Sequence, residues 1–345
     1  MPKALVTGGA GFIGSNLTEE LVKRGFEITV LDDLSGGFTD NVVGAATFVQ
    51  GSINDVKFVD AMFERTGFDY VFHLAAYAAE GLSHFIKRYN YQNNLIGSVN
   101  LINAAVNTGV KCFVFTSSIA VYGASVELPM TEETPAHPED SYGIAKLAVE
   151  QELKICKEMF DLDYIIFRPH NVYGERQNIG DKYRNVVGIF MNQILQGQPM
   201  TIFGDGSQSR AFSYIGDVAP VIAASVEVPA AYNQIFNVGA DHPYTINELT
   251  VAVANAMGVT PQIQYVPARN EVINAYSSHE KVNKVFGQRA SFGLDEGLQR
   301  MASWVKQHGA RSSHEFDDIE ITKNFPKAWL THQMQAASQA VDVVA

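Results

Sequence analysis

The sequence predicts an α/β fold in which a doubly wound parallel sheet carries helices on both faces. Short runs rich in Val, Ile and Phe alternate with stretches in which apolar residues recur at helical spacing, and this alternation is typical of parallel sheets. The runs lack polar alternation, which indicates strands that are buried on both faces. Glycines separate the first strand from the first helix. The predicted strands are residues 3–7, 28–31, 70–74, 112–116 and 164–168.

The first unit of the fold is a strand, a tight turn and a helix, in that order. Residues 3–7 form a β-rich run, glycines follow, and Leu17, Leu21 and Val22 recur at helical spacing within residues 16–24. Each later strand is preceded by a helical segment, and residues 91–107 and 142–159 are two of these segments. Strands that alternate with helices predict βαβ units.

A smaller, less regular lobe is predicted beyond about residue 175. Loops are expected around Gly180, Gly197 and residues 204–206, and helices at 185–195, 246–257 and 294–308. We therefore divide the chain into a dinucleotide-binding domain at 1–175, to which some later segments return, a C-terminal α/β substrate lobe at 176–308 and a tail at 309–345. A binding cleft is expected between the two lobes, and the sequence indicates no role for the tail.

Composition excludes several classes of function. The 345 residues are 46% hydrophobic and 18% charged, as in soluble globular proteins, and no apolar stretch reaches the length of a membrane span. The first ten residues enter a strand pattern rather than a signal peptide, so a cytoplasmic location is expected. Cys112 and Cys156 lack metal-ligand spacing and are expected to be reduced. A net charge of −12 argues against nucleic-acid partners.

The glycine run predicts a Rossmann-type dinucleotide site. Gly8, Gly11 and Gly14 lie between a predicted strand and a predicted helix, where glycine permits a tight turn and close approach to a pyrophosphate. Asp32 and Asp33 end the second strand at the separation expected of an acid that accepts hydrogen bonds from the ribose 2′-hydroxyl. No Arg or Lys follows in residues 34–37. The cofactor is therefore predicted to be NAD rather than NADP.

Tyr142 and Lys146 form a Tyr-x-x-x-Lys pair one helical turn apart, which places both side chains on one face. An ammonium group together with an oxidised nicotinamide would favour the phenolate and make Tyr142 a general base. Ser117 and Ser118 end a predicted strand at the sheet edge where ligands bind. Ser118 is expected to hydrogen-bond the reacting hydroxyl. By themselves these serines would also fit a turn that ends a strand, and the glycine loop favours the catalytic interpretation.

Together these motifs resemble the extended short-chain dehydrogenases/reductases of the NAD-dependent epimerase/dehydratase family, and most closely the UDP-sugar 4-epimerases. The resemblance runs from residue 3 to about residue 308. It depends on Gly-Gly-Ala-Gly-Phe-Ile-Gly, His73-Leu-Ala-Ala, Asn94, Ser118, the Tyr142–Lys146 pair and Asn171-Val-Tyr-Gly. In the dehydratases an Asp-Glu pair follows the equivalent hydroxyl residue and in the decarboxylases a Glu, whereas this chain has Ile119 and Ala120. The resemblance therefore implies epimerisation.

The resemblance also implies roles for individual residues. Those of the cofactor site are Phe12, Ile13, Leu74, Ala75, Ala76, Asn94 and Ser117, with Ser52 and Ile53 beside the adenine and His170 near the nicotinamide through its backbone. Those of the nucleotide sugar are Asn171 and Asn185, with Phe203 beside the base and Arg210 and Arg269 on the phosphates. Ala275 occupies the position that limits the size of the sugar pocket, although a different placement of the gap would put Tyr276 there. No metal site is expected.

Departures from the family pattern leave the sugar open. Ser52 replaces a common Asp, residues 79–81 are unusual in the loop that faces the sugar, and Ser278 replaces a frequent Asp. A UDP-glucuronate 4-epimerase, another nucleotide-sugar dehydrogenase or reductase, and a non-catalytic NAD-sensing protein are the alternatives. The resemblance implies a homodimer formed through the helices at 91–107 and 142–159, and a UDP-sugar as the partner molecule.

Overall fold

The computed structural model contains one seven-stranded parallel sheet with helices on both faces. It describes residues 1–125, 127–181, 183–268, 272–288, 291–309, 316, 318–326 and 329. The strand order is β11-β6-β5-β4-β1-β2-β3, and all six neighbouring pairs are parallel. The order reverses direction at β1, as in doubly wound folds. The predicted fold class is therefore confirmed.

The strands and helices of the described residues have the following bounds. The strands are β1 Lys3–Thr7, β2 Glu27–Asp32, β3 Thr47–Gln50, β4 Tyr70–His73, β5 Cys112–Thr116, β6 Asp163–Pro169, β7 Val172–Tyr173, β8 Met200–Phe203, β9 Ser209–Ala211, β10 Ser213–Tyr214, β11 Gln234–Val238, β12 Pro243–Thr245, β13 Ile263–Val266 and β14 Asn274–Ala275. The helices are α1 Phe12–Lys23, α2 Val56–Thr66, α3 Glu80–Ser83, α4 Lys87–Tyr91, α5 Gly97–Thr108, α6 Ser141–Phe160, α7 Val186–Leu195, α8 Ile215–Ala224, α9 Ile246–Met257, α10 Glu280–Phe286 and α11 Leu294–His308.

The sheet is buried on both faces, as its apolar strands predict. In β1, Ala4 and Val6 pack with Leu17 of α1 on one face, and Leu5 packs with Phe63 of α2 on the other. The alternation follows from the two-residue period of a strand. Since both faces are covered, no position on this strand needs a polar side chain for solvent.

Two strands of the sheet were not predicted from the sequence. β3 (Thr47–Gln50) is short and only partly buried at one edge, and β11 (Gln234–Val238) closes the opposite edge from far along the chain. β11 pairs with β6 in parallel over five residues. β11 is one of the later segments that return to the sheet, whereas β8, β9, β12, β13 and β14 form small separate sheets.

Helix bounds differ from the prediction mainly at helix starts. α1 begins at Phe12, four residues before the predicted start, because Gly14 lies in its first turn and hides the helical pattern. The predicted helix at 91–107 consists of α4, a π-helical segment Gln92–Ile96 and α5. α9 and α11 have the predicted bounds. None of the described helices is both long and apolar enough to cross a membrane.

Candidate active site

A cavity of about 520 Å³ opens at the carboxyl ends of the sheet strands, within the size range of small-molecule sites. We call it the main cavity. Its walls come from the loops after β1, β2, β4, β5 and β6 on one side and from β8, β9 and β14 on the other. It lies where the strand order reverses, between β1 and β4, which is the usual ligand position in doubly wound sheets.

The glycine loop approaches the chain after β4, and packs on itself, too closely for side chains. Gly8 has φ +70°, and a Cβ placed there would lie 2.8 Å from the backbone nitrogen of Ala75. A Cβ on Gly14 would lie 2.2 Å from the carbonyl oxygen of Gly8. Both glycines line the main cavity, as do Gly11, Phe12 and Ile13. The start of α1 therefore faces the cavity with bare backbone, as a pyrophosphate site requires.

Asp32 connects the glycine loop to the loop after β2. Its carboxylate accepts hydrogen bonds from the backbone nitrogens of Ala10 (3.0 Å) and Leu34 (2.8 Å). Burial raises the pKa of Asp32, and hydrogen bonds from the backbone of Leu34, Ala10 and Gly11 oppose the rise. A carboxylate offers about four acceptor positions, so the Asp32 carboxylate can also accept from a ribose hydroxyl. Asp33 also lines the main cavity.

Ser118, Tyr142 and Lys146 come together at one wall of the main cavity. Ser118 shares a side-chain hydrogen bond with Tyr142 and accepts another from the backbone nitrogen of Ala120 at 3.1 Å. The Nζ of Lys146 donates to the carbonyl oxygen of Thr116 at 2.7 Å and lies 5.7 Å from the centre of the Tyr142 ring. The pair predicted from its spacing therefore faces the strand-end serine in three dimensions.

Electrostatics at this wall depend mainly on burial. Burial lowers the pKa of Lys146 to about 7, against the opposing effect of the Glu150 carboxylate. Burial also raises the pKa of Tyr142 above its ordinary value, the carboxylates of Glu80 and Asp140 add to the rise, and the hydrogen bond with Ser118 opposes it. The protein's own groups therefore do not hold Tyr142 as a phenolate. Of the two positive charges that were predicted to favour the Tyr142 phenolate, the charge of an oxidised nicotinamide therefore remains.

A buried ion pair supports the catalytic wall from behind. The carboxylate of Glu150, one turn after Lys146, accepts from the Nε of Arg168 at 2.9 Å, and their side chains are 0% and 4% exposed. Ser117 donates its hydroxyl to the same carboxylate at 2.6 Å. Ser117 lines the main cavity, but its hydroxyl donates to Glu150 and not to the cavity.

Most of the predicted nucleotide-sugar residues lie on the opposite wall, and Asn171 lies in the chain that follows β6. Asn171 and Asn185 have positive φ values of 39° and 49°, and Asn185 caps α7 by accepting from the nitrogen of Val187. Arg210 donates to the carbonyl oxygen of Ile273 at 2.7 Å, which holds β9 to the chain before β14. The predicted residues that line the main cavity include Asn171, Asn185, Phe203, Arg210 and Ala275. Tyr276 instead lines a second cavity.

The ring of His170 is held inside the protein. Its Nδ1 lies 3.1 Å from the carbonyl oxygen of Ala211, and its Nε2 lies 3.2 Å from the Nε2 of His279, whose Nδ1 contacts Asp241 at 2.6 Å. Burial, and then the charge of His279, lower the pKa of His170 to about 3. His170 lines the main cavity and stays neutral at physiological pH.

Two predicted site residues, Ser52 and Asn94, do not line the main cavity, and a third lies outside the described residues. The hydroxyl of Ser52 accepts from the nitrogen of Asn54, whereas Ile53 does line the cavity. Asn94, in the π-helical segment, accepts from the nitrogen of Tyr77 at 2.8 Å and donates to its carbonyl oxygen at 3.1 Å. It therefore shapes the loop that follows Leu74, Ala75 and Ala76, which line the cavity. Arg269 lies outside the described residues.

The main cavity suits a polar cofactor. The hydroxyl of Thr116 and the side-chain oxygen of Gln177 are buried and have no hydrogen-bond partner among the described residues, and both residues line the cavity. Such atoms cost stability unless a ligand or water satisfies them. With the bare glycine loop and Asp32, they fit a dinucleotide. The described part of the chain contains no cluster of His, Cys, Asp and Glu that could hold a metal.

Sequence reasoning missed three charged residues of the main cavity. Arg184 lies over the loop after β2, 2.8 Å from where a Cβ of Gly36 would be, and pairs with Asp181 at 2.6 Å. Glu80 and Asp140 approach Tyr142 from the loop after β4 and from the N-cap of α6. No local pattern marks Arg184 and Glu80, because the cavity residues that they approach, Gly36 and Tyr142, lie in other segments, and Asp140 carries only the ordinary signal of a helix N-cap.

The sequence matches the NAD-dependent epimerase/dehydratase family over residues 4–239. The UDP-glucose 4-epimerase of Mycolicibacterium smegmatis is 32% identical over 311 residues, which span 88% of this chain and 98% of that protein. The crystal structure of UDP-glucose 4-epimerase from Thermotoga maritima with UDP-glucose is similar with a TM-score of 0.85 at 33% identity, covering 88% of this chain and 99% of that one.

A third relative differs in the sugar that its name gives. The UDP-N-acetylglucosamine 4-epimerase from Methanobrevibacter ruminantium, solved with UDP-N-acetylmuramic acid, is similar with a TM-score of 0.83 at 30% identity. The match covers 89% of this chain and 99% of that one. Nearly the full length of each of these relatives is therefore matched.

Proposed function

The chain belongs to the NAD-dependent epimerase/dehydratase family, and on that premise we propose that it is a UDP-sugar 4-epimerase acting on UDP-glucose and UDP-galactose. NAD is the cofactor of the family. The observation that carries the proposal is the meeting of Ser118, Tyr142 and Lys146 at one cavity wall, with Ile119 and Ala120 where dehydratases and decarboxylases carry acids. The names of the full-length relatives support the same reaction.

The reaction requires that the 4-hydroxyl lose its proton during oxidation and regain a proton during reduction. NAD supplies, when bound, the acceptor and then the donor of the hydride at carbon 4. Tyr142 removes the hydroxyl proton and later returns it to the same oxygen, which Ser118 holds by a hydrogen bond. Lys146 holds the ribose and adds positive charge beside Tyr142. Because the same residues serve both directions, epimerisation requires no further acid.

Ligand contacts are proposed on the basis of cavity position. Gly8, Gly11, Gly14 and Asp32 hold the dinucleotide within the domain at 1–175 and the strands that return to it. The lobe at 176–308 holds the UDP-sugar. Its residues that line the main cavity and support this are Asn185, Phe203 and Arg210, and Asn171 joins them from the end of the first domain. Guanidinium groups suit diphosphates because they bind two oxygens at once.

The charges near Tyr142 favour an uncharged sugar. Glu80 and Asp140 both line the main cavity and raise the pKa of Tyr142 by their negative charge. A uronate would bring a further carboxylate toward these two, which like-charge repulsion opposes. Glucose and galactose carry no such charge. Small Ala275 leaves room for an N-acetyl group at carbon 2, so an N-acetylated pair is proposed as a second substrate.

A homodimer is proposed because α6 exposes an apolar face. Ile144, Ile155 and Met159 are 44%, 49% and 68% exposed, and their spacing puts them on one side of the helix. A second copy of the chain would cover them. The two buried, free cysteines agree with a reducing, cytoplasmic location, which we also propose. Light scattering after gel filtration, and fractionation of cells, test these two proposals.

The reaction is tested with purified protein and a panel of UDP- and dTDP-sugars, without added cofactor. We expect interconversion of UDP-glucose and UDP-galactose, NAD in the denatured supernatant by mass spectrometry, and little turnover of UDP-glucuronate. A stoichiometric requirement for added cofactor, or NADP alone in the supernatant, would contradict the proposal. Release of a 4-keto-6-deoxy sugar would instead assign a dehydratase.

A further inference from the structure

The described part of the tail, residues 316, 318–326 and 329, is fixed to the loop that follows β4. The backbone nitrogens of Glu320 and Ile321 both donate to the carbonyl oxygen of Phe85, at 2.9 and 3.1 Å. The Glu320 carboxylate accepts from the backbone nitrogens of Arg88 (2.9 Å) and Tyr89 (3.0 Å) at the start of α4. We call residues 77–86 the sugar-facing loop. The tail therefore holds both the end of this loop and the helix after it.

Aromatic side chains extend this attachment toward the main cavity. Phe316 lies 5.5 Å from the ring of Tyr77, and Phe325 lies 5.0 Å from the ring of Phe85. Phe325 and Trp329 are 9% and 5% exposed. They form one buried cluster with Ala79, Leu82 and Ile86 of the sugar-facing loop. Without the tail, these apolar side chains would face solvent.

Trp329 contacts three segments that each line the main cavity. Its ring lies 5.4 Å from Tyr183 and 6.5 Å from Phe203, both edge to face. A Cβ on Gly81 would meet the Cη2 of Trp329 at 3.0 Å. Gly81, Tyr183 and Phe203 line the main cavity and come from the sugar-facing loop, the chain before α7 and the end of β8. Trp329 thus lies behind the wall that joins the proposed sugar and base positions.

We propose that Trp329 is a positioning residue for the nucleotide sugar, and this inference rests on the proposed UDP-sugar specificity. By packing against Gly81, Tyr183 and Phe203, Trp329 sets the distance between the sugar-facing loop and the base-binding end of β8. Lys146 is held by the carbonyl oxygen of Thr116, which belongs to the strand end and not to the tail. Loss of Trp329 therefore weakens substrate binding more than it slows the chemical step.

The test uses the full chain with its cofactor, and compares Trp329→Ala with Trp304→Ala. Trp304 is the other tryptophan of the chain, stacks on His308 in α11 with 4.5 Å between the ring centres, and does not line the main cavity. Trp329→Ala should raise the KM for UDP-galactose and the Kd for UDP roughly tenfold, as expected from loss of two aromatic contacts, with a smaller change in kcat. Trp329→Phe should recover most of the loss.

The proposal is overturned if Trp329→Ala leaves KM and Kd unchanged, or if Trp304→Ala raises them equally. If Trp329→Ala loses its NAD during purification, Gly81→Ala decides, because the added methyl group presses on the indole. Gly81→Ala should raise KM, and Trp329→Phe in the same chain should reverse part of the rise; no reversal refutes the inference. A wild type that binds UDP but converts no UDP-sugar would refute the proposed function alone, since the Kd for UDP still tests Trp329.

Discussion

Lys146→Met should stabilise the cofactor-free protein by an amount that depends on pH. Lys146 is 2% exposed, and burial lowers its pKa from 10.5 to about 7. At about 1.4 kcal/mol per pKa unit, keeping this ammonium in the folded state costs about 5 kcal/mol below pH 7. Methionine has a similar length and no charge, so the variant escapes that cost.

The pH dependence follows from the direction of the shift. The folded pKa lies below the unfolded value, so the unfolded chain binds more protons between pH 7 and pH 10.5, and wild-type stability rises across that window. The cost of Lys146 is about 5 kcal/mol at pH 6 and about 2 kcal/mol at pH 9, a difference of about 3 kcal/mol. Loss of the neutral amine's hydrogen bond to the Thr116 carbonyl removes about 0.5–1.5 kcal/mol of the gain at both pH values and leaves that difference intact, because the share of the charged form is already contained in the pKa.

The assay is urea unfolding of NAD-stripped wild type and Lys146→Met, followed by circular dichroism at pH 6 and pH 9. The gain in the free energy of unfolding should be larger at pH 6. Lys57→Met, at an exposed position of α2, is the matched control and should show no such difference. The same gain at both pH values, or a larger one at pH 9, would refute the reasoning.

Three further substitutions test other parts of the site. Glu150→Gln leaves the Arg168 guanidinium buried without its carboxylate and should lower the free energy of unfolding by about 3–5 kcal/mol in urea titrations; a loss below about 1 kcal/mol would show that the pair relaxes. Tyr142→Phe should lower kcat by about 10²–10⁴-fold with the NAD content by mass spectrometry unchanged, and a variant that keeps a tenth of the wild-type rate would exclude Tyr142 as the base. Ala275→Tyr should abolish turnover of N-acetylated sugars and spare UDP-glucose in product chromatography, and equal losses would show that Ala275 does not limit the pocket.

Much of the fold follows from patterns that span only a few residues. α9 and α11 were predicted with their observed bounds because apolar spacing, the Thr245 cap of α9 and the glycines that follow both helices mark their ends. The central strands were predicted correctly because each is a short continuous run of apolar residues, which is also a local pattern. β3 was not predicted because it is a short, partly exposed edge strand. β11 was not predicted because it joins the sheet from far along the chain, and its sequence carries no local sign of its partner.

The main motifs of the candidate site were likewise visible in the sequence. The glycine loop and the Tyr142–Lys146 pair are local devices, since a tight turn and one helical turn have fixed residue spacings. Ser52 and Asn94 were placed by resemblance, and in the structure they support neighbouring residues instead of lining the main cavity. A sequence motif identifies a segment of the site, but it does not determine whether a given side chain faces the cavity or bonds to neighbouring residues.

The sequence by itself determined the parallel sheet, the dinucleotide loop and the Ser-Tyr-Lys chemistry, because each is encoded by neighbours in the chain. Only the tertiary structure decided that Glu80 approaches Tyr142, that Arg184 lies over Gly36 and that Trp329 packs on Gly81. It also decided the lowered pKa of Lys146, which depends on how completely other segments exclude water. Such contacts and burial arise when distant segments pack together, and no local periodicity records that packing.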